Sequence, residues 1–414
     1  MSERQLRLGI VGLGRATMST LPTLVSSPRV AISAVCTEDA DVSRGFAESF
    51  GCASFASIDE MCRSGLVDTV YVATPHELHA EHTMIALEGG CHVLVEKPMT
   101  LSRTDALAMT ELAEALGLVL VVGPSHAHDG NLILLSELAA SGRFGQVRMV
   151  NAFNYTDFLY RPRQNAELDT SLGGGVLFNQ LPHHVDVVRT VTGGGTVSTV
   201  DARTGIWDND RPVEGAYTIL ADLDGGIFAT MTYSGFAHFD SDEWFDWIGE
   251  SGASKSRFSR LATRAALQES QLGDGEGALK DALGVPAKAR VEGEAREVPE
   301  LQPHFGLLVV SLEHADLVLR PTGVDVHADT GSFSVNKPIS MELGGRLPAI
   351  NELWRAVIED EAAIHDGRWG LHTVDVCLAT LASARRQQPV VVGALESADI
   401  QSILGPSQSA VIPH

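Results

Sequence analysis

Positive charge is scarce in this chain of 414 residues, which has 30 Lys and Arg against 53 Asp and Glu. The formal net charge of −23 argues against nucleic acid and membranes as partners, because both attract basic surfaces. Cysteine is also sparse: the five residues are scattered without metal-type pairs, which indicates reduced thiols. No apolar signal region and no bilayer-spanning run is apparent. We therefore expect a cytoplasmic globular protein.

Hydrophobic residues make up 44% of the sequence, enough for the cores of two or three domains. A buried strand is predicted over residues 8–11, and Gly12 and Gly14 follow it before a predicted helix. Glycines at this spacing allow a tight turn and let backbone N–H groups bind a pyrophosphate at the helix start. The third glycine of this dinucleotide-binding pattern is missing, because Thr17 occupies its place. An ordinary turn is the alternative, but strands and helices continue to alternate downstream.

The second predicted strand, residues 30–36, leads to the expected adenosine ribose site. By its spacing from Gly12, that site falls on Thr37 and Glu38, with Asp39 next. Acidic neighbours at this place favour NAD over NADP as the cofactor. Arg15 could reach a 2′-phosphate, so NADP stays possible.

A lysine and a cluster of histidines follow two later predicted strands. A predicted strand over residues 91–95 runs into Glu96 and Lys97, and a lysine there points into the crevice where α/β sheets bind ligands. A surface lysine beside a turn is the alternative. The cluster of two histidines and an aspartate at 125–129 could hold a metal, but no further ligand pattern supports it. We assign no metal site.

Several of these features, in this order, resemble the glucose–fructose oxidoreductase/inositol dehydrogenase (Gfo/Idh/MocA) family. The resemblance rests on Gly12 and Gly14, on residues 73–75 with His79, and on residues 96–98. It implies an α/β plus α+β protein, with a Rossmann domain over 1–125 and a domain with an open, mostly antiparallel sheet over 126–390. A polar insertion is expected at about 251–303, and a tail at 391–414. The implied cofactor-binding residues are Gly12, Gly14, Arg15, Thr37, Glu38, Thr74, Pro75, His79, Glu96 and Lys97.

A glycine-rich turn at 173–175, followed by a predicted helix, resembles the second motif of the family. There an Asp precedes a His by four residues, and both face the nicotinamide and the substrate. His183 matches the His, but Asn179 replaces the Asp, and an amide can orient a hydroxyl without taking its proton. The implied catalytic residues are Lys97, His183 and Asn179, with His184 as a substrate contact. A pair of core histidines is the alternative. We also predict a cis Lys97–Pro98 bond.

Segments at 12–15, 157–163, 237–243 and 365–369 resemble the phthalate 4,5-cis-dihydrodiol dehydrogenase branch of this family. The resemblance implies NAD(P)-dependent oxidation of a ring alcohol, a small carboxylated cis-dihydrodiol, to a catechol. A sugar or inositol dehydrogenase and a non-catalytic NAD-sensing protein are the alternatives. Arg161 and Arg163 are predicted to bind the carboxylate, or else to pair with acids such as Glu167 or Asp169. The uncovered face of the open sheet predicts a homodimer or homotetramer.

Overall fold

The computed structural model describes residues 4–236, 238–271, 275–277, 280, 301–339 and 346–404. Two sheets organise these residues, one in each of the two expected domains. Among the described helices, none is both long and apolar enough to cross a membrane.

The first sheet contains six parallel strands. They are β1 Leu6–Val11, β2 Val30–Cys36, β3 Ala53–Phe55, β4 Thr69–Val72, β5 His92–Val95 and β6 Leu120–Val122. Their spatial order is β3-β2-β1-β4-β5-β6. The connecting helices are α1 Arg15–Ser26, α2 Ala40–Phe50, α3 Ile58–Arg63, α4 His79–Glu88 and α5 Arg103–Leu116. Helices on both faces bury the central strands, which explains their continuous apolar runs and confirms the predicted Rossmann arrangement.

The second sheet contains nine strands. They are β7 Val147–Tyr155, β8 Val197–Gly205, β9 Ala216–Leu223, β10 Phe228–Ser234, β11 Leu307–Leu312, β12 Ala315–Arg320, β13 Gly323–Ala328, β14 Gly331–Asn336 and β15 Val390–Val391. Their order is β14-β13-β12-β11-β7-β10-β9-β8-β15. Neighbours are antiparallel except β7 and β10, so the predicted mostly antiparallel sheet is confirmed.

Within the described part of the chain, helices cover one face of this second sheet. The remaining helices are α6 Gly130–Ala140, α7 Gly175–Asn179, α8 Leu181–Val191, α9 Ser259–Gln271, α10 Leu347–Trp354, α11 Gly367–Arg386 and α12 Ser397–Leu404. α6, α8 and α11 pack against the buried side chains of the sheet. The opposite face exposes Leu220 by 49% and Phe228 by 42%. These two side chains are examples of the exposed apolar groups that the sequence led us to expect on the uncovered face.

The C-terminal region contains three local features: a capped helix start, a π-helical turn and a helix within the expected tail. The helix α11 starts at Gly367, and the Asp366 side chain caps it by accepting a hydrogen bond from the Trp369 N–H at 2.8 Å. The helix α10 ends at Trp354 and continues as one π-helical turn, Arg355–Glu359. The expected tail from 391 includes α12, which buries Ile400 and Ile403. Its first residues therefore belong to the second domain.

The predicted insertion at 251–303 is described only in part. Its described residues include the helix α9. Most of the stretch from 272 to 300 lies outside the described residues.

Helix α10 follows the second domain in sequence but packs against the first. Ile350, Leu353 and Trp354 are buried in the same apolar cluster as Leu8 and Ile10 of β1. The Trp354 indole N–H also donates to the Arg4 carbonyl at 2.8 Å. One wall of the Rossmann core is therefore supplied by a segment that lies more than 200 residues downstream of its sheet.

Gly12 offers a test of the cofactor turn, because it has a φ of +88° and a Cβ there would lie 2.9 Å from the Ala73 carbonyl oxygen. We expect Gly12→Ala to cost at least about 1–2 kcal/mol of unfolding free energy and to abolish NAD binding. Gly45→Ala is the matched control, because Gly45 lies within α2 and a Cβ there would meet no heavy atom within 4 Å. It should stabilise the protein by about 0.5–1 kcal/mol. Equal unfolding temperatures for the two variants would contradict this account.

Candidate active site

The turn between β1 and α1 has a backbone geometry that lets an anion bind close to it. The Gly12 N–H donates to the Cys36 carbonyl at 3.0 Å, which ties the turn to β2. Thr17, at the place of the missing third glycine, is fully buried and its hydroxyl donates to the Gly12 carbonyl at 2.7 Å. Gly14 is the N-cap of α1, and the first turn of that helix contains no acidic residue. The positive end of α1 therefore remains available to a pyrophosphate.

The end of β2 carries the expected ribose residues, with one correction. Asp39 caps α2, since its Oδ1 accepts hydrogen bonds from the N–H groups of Asp41 and Val42 at 2.9 and 3.1 Å. It is therefore engaged in a helix cap and is not a free charge beside the ribose. Thr37 and the exposed Glu38 remain the candidates there.

His79 holds two cleft loops together. Its Nε2 lies 2.8 Å from the carbonyl oxygen of Thr74, and its Nδ1 lies 2.8 Å from the carbonyl oxygen of Pro98. The side chain is fully buried, so the predicted cofactor contact by His79 is wrong: it acts by positioning these loops. Pro75, beside Thr74, is exposed at the rim.

Lys97 lies where the two domains meet. The preceding residue, Glu96, is buried and accepts a hydrogen bond from the Tyr71 hydroxyl at 2.6 Å. The Lys97 Nζ donates to the backbone carbonyl of Asn179 at 2.7 Å. Burial lowers the pKa of Lys97 to about 8, so this side chain can exchange a proton near neutral pH. The Lys97–Pro98 bond is cis, as predicted.

Asn179 contributes through its backbone. Its side-chain Nδ2 donates to the carbonyls of Gly173 and Gly175, both at 2.9 Å, and so closes the glycine-rich turn. Both hydrogen-bond donors of the amide that we expected to orient a substrate hydroxyl are thus already engaged. Asn179 acts as a positioning residue, because its carbonyl accepts the hydrogen bond from Lys97.

His183 has the properties of a neutral base. Its Nδ1 is buried and has no hydrogen-bond partner within the described part of the chain. Burial and the nearby Lys97 hold the pKa of His183 well below its ordinary value. The ring packs against Phe305 and His126, with centroids 5.0 and 4.9 Å away.

His184 is not at the cleft, which corrects its predicted role as a substrate contact. Its side chain is fully buried, its Nδ1 lies 2.8 Å from the Tyr217 hydroxyl, and burial lowers its pKa to about 3. Adjacent residues of a helix point about 100° apart, so only one of the two histidines can face the cleft. The following acid, Asp186, accepts hydrogen bonds from Trp369 and Thr373 and fixes α8 against α11.

The two predicted arginines differ in their surroundings. Arg163 is buried: it donates to Glu167 at 3.3 Å and to the Phe158 carbonyl, and its guanidinium lies 3.7 Å from the centre of the Phe158 ring. Arg161 donates to Asp157 at 2.9 Å, and its Nη2 lies 3.7 Å from Glu250. Its side chain is 26% exposed, against 6% for Arg163. Both arginines thus pair with acids, as the alternative expected, and they differ in that the Arg161 side chain is the more exposed of the two.

The cluster at 125–129 separates into two sites. His126 turns towards His183, and its Nδ1 lies 2.7 Å from the Asp129 carboxylate. His128 turns the other way, where its Nε2 and the Nδ1 of His365 lie 3.0 and 2.9 Å from the same oxygen of Glu352.

These three buried residues have ligand atoms within 4.8 Å of one another, a geometry that a metal ion could use. In this structure the carboxylate is already satisfied by the two rings. Burial opposes the charge of Glu352, but the hydrogen bonds from His128 and His365 hold its pKa below the ordinary value. The triad therefore works as a buried link between α10 and the loop after β6.

Three residues that lie beside the candidate site residues were not predicted from the sequence as site residues: His126, Glu250 and Arg346. Arg346 precedes α10, and its Nη1 lies 3.7 Å from the Glu96 carboxylate. From the sequence, we considered His126 only as a metal ligand. The short spacing between His126 and Asp129 was the signal that the two side chains form a pair. Neither Glu250 nor Arg346 lies in a motif that identifies it.

Comparison with known proteins agrees with this geometry. Residues 6–124 match the family model for the NAD-binding Rossmann fold of the Gfo/Idh/MocA oxidoreductases, and residues 133–255 match a C-terminal domain of the same family. The chain belongs to the Gfo/Idh/MocA family. It is an NAD-dependent oxidoreductase that acts on CH–OH groups, and the predicted recognition, enzyme class and cofactor are confirmed.

Individual relatives extend the comparison. The chain is 39% identical, over 94% of its length and 96% of the relative, to 1-carboxy-3-chloro-3,4-dihydroxycyclohexa-1,5-diene dehydrogenase of Comamonas testosteroni. It is 30% identical, over 58% of its length and 70% of the relative, to dTDP-3,4-didehydro-2,6-dideoxy-α-D-glucose 3-reductase of Streptomyces violaceoruber.

Solved structures show the same fold. A crystal structure described as that of a dehydrogenase from Bordetella bronchiseptica RB50 has a TM-score of 0.87 and 40% identity, and the match covers 94% of this chain and all of that one. The GenD2 protein of gentamicin A biosynthesis, solved with NAD, has a TM-score of 0.66 at 19% identity over 95% of this chain and 98% of that one. The latter likeness concerns the fold alone.

Proposed function

We propose that this enzyme oxidises a ring cis-dihydrodiol that carries a carboxylate to the corresponding catechol. The observation that supports this most directly is the similarity, over nearly the whole of both chains, to a dehydrogenase named for a carboxy-dihydroxycyclohexadiene. The proximity of Lys97 to His183 adds a chemical reason, because a proton donor and a proton acceptor then lie close together.

Separate residues can bind the cofactor, accept the hydroxyl proton and stabilise the alkoxide. Gly12, Gly14, Thr37 and Glu38 would hold NAD, which accepts a hydride from the carbinol carbon when it is bound. His183 takes the proton of the reacting hydroxyl, because burial keeps its imidazole neutral and ready to accept one. Lys97 donates a hydrogen bond to the same oxygen and stabilises its alkoxide character. Oxidation is favoured, since the ketone formed from a dihydrodiol tautomerises to an aromatic ring.

An NAD-coupled turnover assay over carboxylated cis-diols, sugars and inositols tests this proposal. We expect turnover of the carboxylated cis-diol, and tighter binding of NAD than of NADP, because Glu38 would repel a 2′-phosphate. The relative from Streptomyces violaceoruber supports a sugar dehydrogenase as the second candidate function. Turnover of sugars and of no other substrate class would favour this second candidate. Absence of turnover with every class would favour a non-catalytic NAD-sensing protein.

His183→Ala should lower turnover by on the order of 10²–10⁴-fold, because it removes the acid–base group, while NAD binding remains. Asn179→Asp should have a milder effect than His183→Ala, because it loses the two hydrogen bonds that close the glycine-rich turn but removes no proton-accepting group. Steady-state turnover and NAD titration measure the two effects. Unchanged turnover in His183→Ala would remove this residue from the mechanism.

Arg161 is our candidate for binding the substrate carboxylate, because its guanidinium is partly exposed and Arg matches a carboxylate with paired hydrogen bonds. Arg161→Met should raise KM for a carboxylated diol about tenfold or more, and change KM little for an uncharged analogue, as expected from losing roughly 1.5–3 kcal/mol of charged hydrogen bonding. Arg163→Met is the comparison: it should lower stability without this discrimination. Equal KM changes for both substrates in Arg161→Met would assign Arg161 a structural role.

We also propose that the enzyme is a homodimer or homotetramer joined through the uncovered face of the second sheet. Leu220 lies on that face, and Trp244, which is 46% exposed, packs 5.3 Å from Phe153 of the central strand β7. Burying such side chains favours association. Leu220→Glu should shift the mass measured by light scattering towards the monomer, whereas Val42→Glu, on the exposed side of α2, should not. A monomeric wild-type protein at micromolar concentration would refute the proposal.

A further inference from the structure

His126 is a second histidine of the pocket, with no role so far in the proposed reaction. It lies in the short turn His126–His128 after β6, and its Nδ1 is 2.7 Å from Asp129 Oδ2. An aspartate that accepts the Nδ1–H bond fixes the tautomer of the ring and leaves Nε2 as the nitrogen that can take a proton. The side chain of His126 is 19% exposed and that of Asp129 is 9% exposed. The pair is thus partly shielded from solvent but open on one side.

The rings of His126 and His183 lie against each other. Their ring centroids are 4.9 Å apart and their planes are inclined by 71°, so the edge of one ring meets the face of the other. Phe305 packs against both, at centroid distances of 4.9 and 5.0 Å. The two imidazoles are therefore neighbours on one wall, each with its own proton-accepting nitrogen.

His126 also lies towards the part of the pocket that contains Arg161. Burial opposes the charge of Glu250, but Arg161 and His126 together lower the pKa of that carboxyl, so both lie close enough to act on it. Arg161 Nη2 is 3.7 Å from Glu250. A ring held by its carboxylate at Arg161, with its reacting carbon at His183, would thus pass beside His126.

The proposed oxidation requires two separate proton transfers from the substrate. In the first step, the carbinol carbon gives its hydride to NAD and its hydroxyl proton goes to His183. The product is a hydroxy ketone in which the neighbouring carbon still carries its hydrogen. Aromatisation then needs a base for that C–H proton and an acid for the ketone oxygen, and the protonated His183 can serve only as the acid.

We propose that His126, held by Asp129, is the base that removes this C–H proton, an inference that rests on the proposed function. The C–H bond breaks, its proton goes to Nε2 of His126, and its electron pair enters the ring. At the same time, the ketone oxygen takes the proton from His183. The substrate has then lost one hydride and one proton, His183 is neutral again, and His126 releases the proton to solvent.

Rapid mixing of enzyme, NAD and a carboxylated cis-dihydrodiol tests the proposal, with NADH followed by absorbance and catechol by chromatography of quenched samples. In the wild type, the two products should appear together. In His126→Gln, NADH should form first and catechol should follow on the order of 10²-fold more slowly. The lag should lengthen when the diol carries deuterium at the carbon that loses its proton. Asp129→Asn should give a lag that is shorter than the lag of His126→Gln, because it keeps the imidazole and changes only its tautomer.

His314→Gln is the matched control, because His314 forms a similar pair with Asp329 at 3.2 Å, but on the exposed surface. It should show no lag. Simultaneous appearance of NADH and catechol in His126→Gln, at the wild-type rate or at an equally reduced one, would overturn the role of His126 while leaving the proposed function intact. Failure of the wild-type enzyme to oxidise the diol would overturn both.

Discussion

The hydrogen bond from Lys97 to the Asn179 carbonyl is the contact around which this enzyme is arranged. It joins the end of a strand in the first domain to the end of a short helix in the second, at 2.7 Å. The bond directs a buried amine at the cleft, and burial there lowers its pKa to about 8. Neighbouring groups support this arrangement. His79 connects the loop that follows β4 to the loop that follows β5 and contains Lys97. The Asn179 amide closes the turn that presents the carbonyl.

Much of the fold follows from local patterns in the sequence. Apolar runs in the sequence predicted β1, β2 and β5 of the first sheet, whereas β3, with three residues, is too short to give such a run. Positions whose role depends on the backbone were also predictable, Gly12 above all. These features are encoded within about ten residues, so the sequence alone reveals them.

The errors concern side chains whose direction or partner is decided by packing. His183 and His184 are adjacent and chemically identical, and only the orientation of α8 decides which one meets the cleft and which one meets Tyr217. Asp39 could have been a ribose ligand, but its carboxylate is used as a helix cap. The pairing of His128 with Glu352 joins residues 224 positions apart, which no local pattern can indicate.

The return of α10 to the first sheet means that the nucleotide-binding part of this chain is not a transferable module. Cutting the chain after β6 would remove Ile350, Leu353 and Trp354 from a core that they share with β1, and would uncover Leu8 and Ile10. It would also leave the Arg4 carbonyl without the Trp354 indole. Evolution by exchange of whole domains is therefore constrained here: a different substrate domain would also have to provide a helix that completes the cofactor domain.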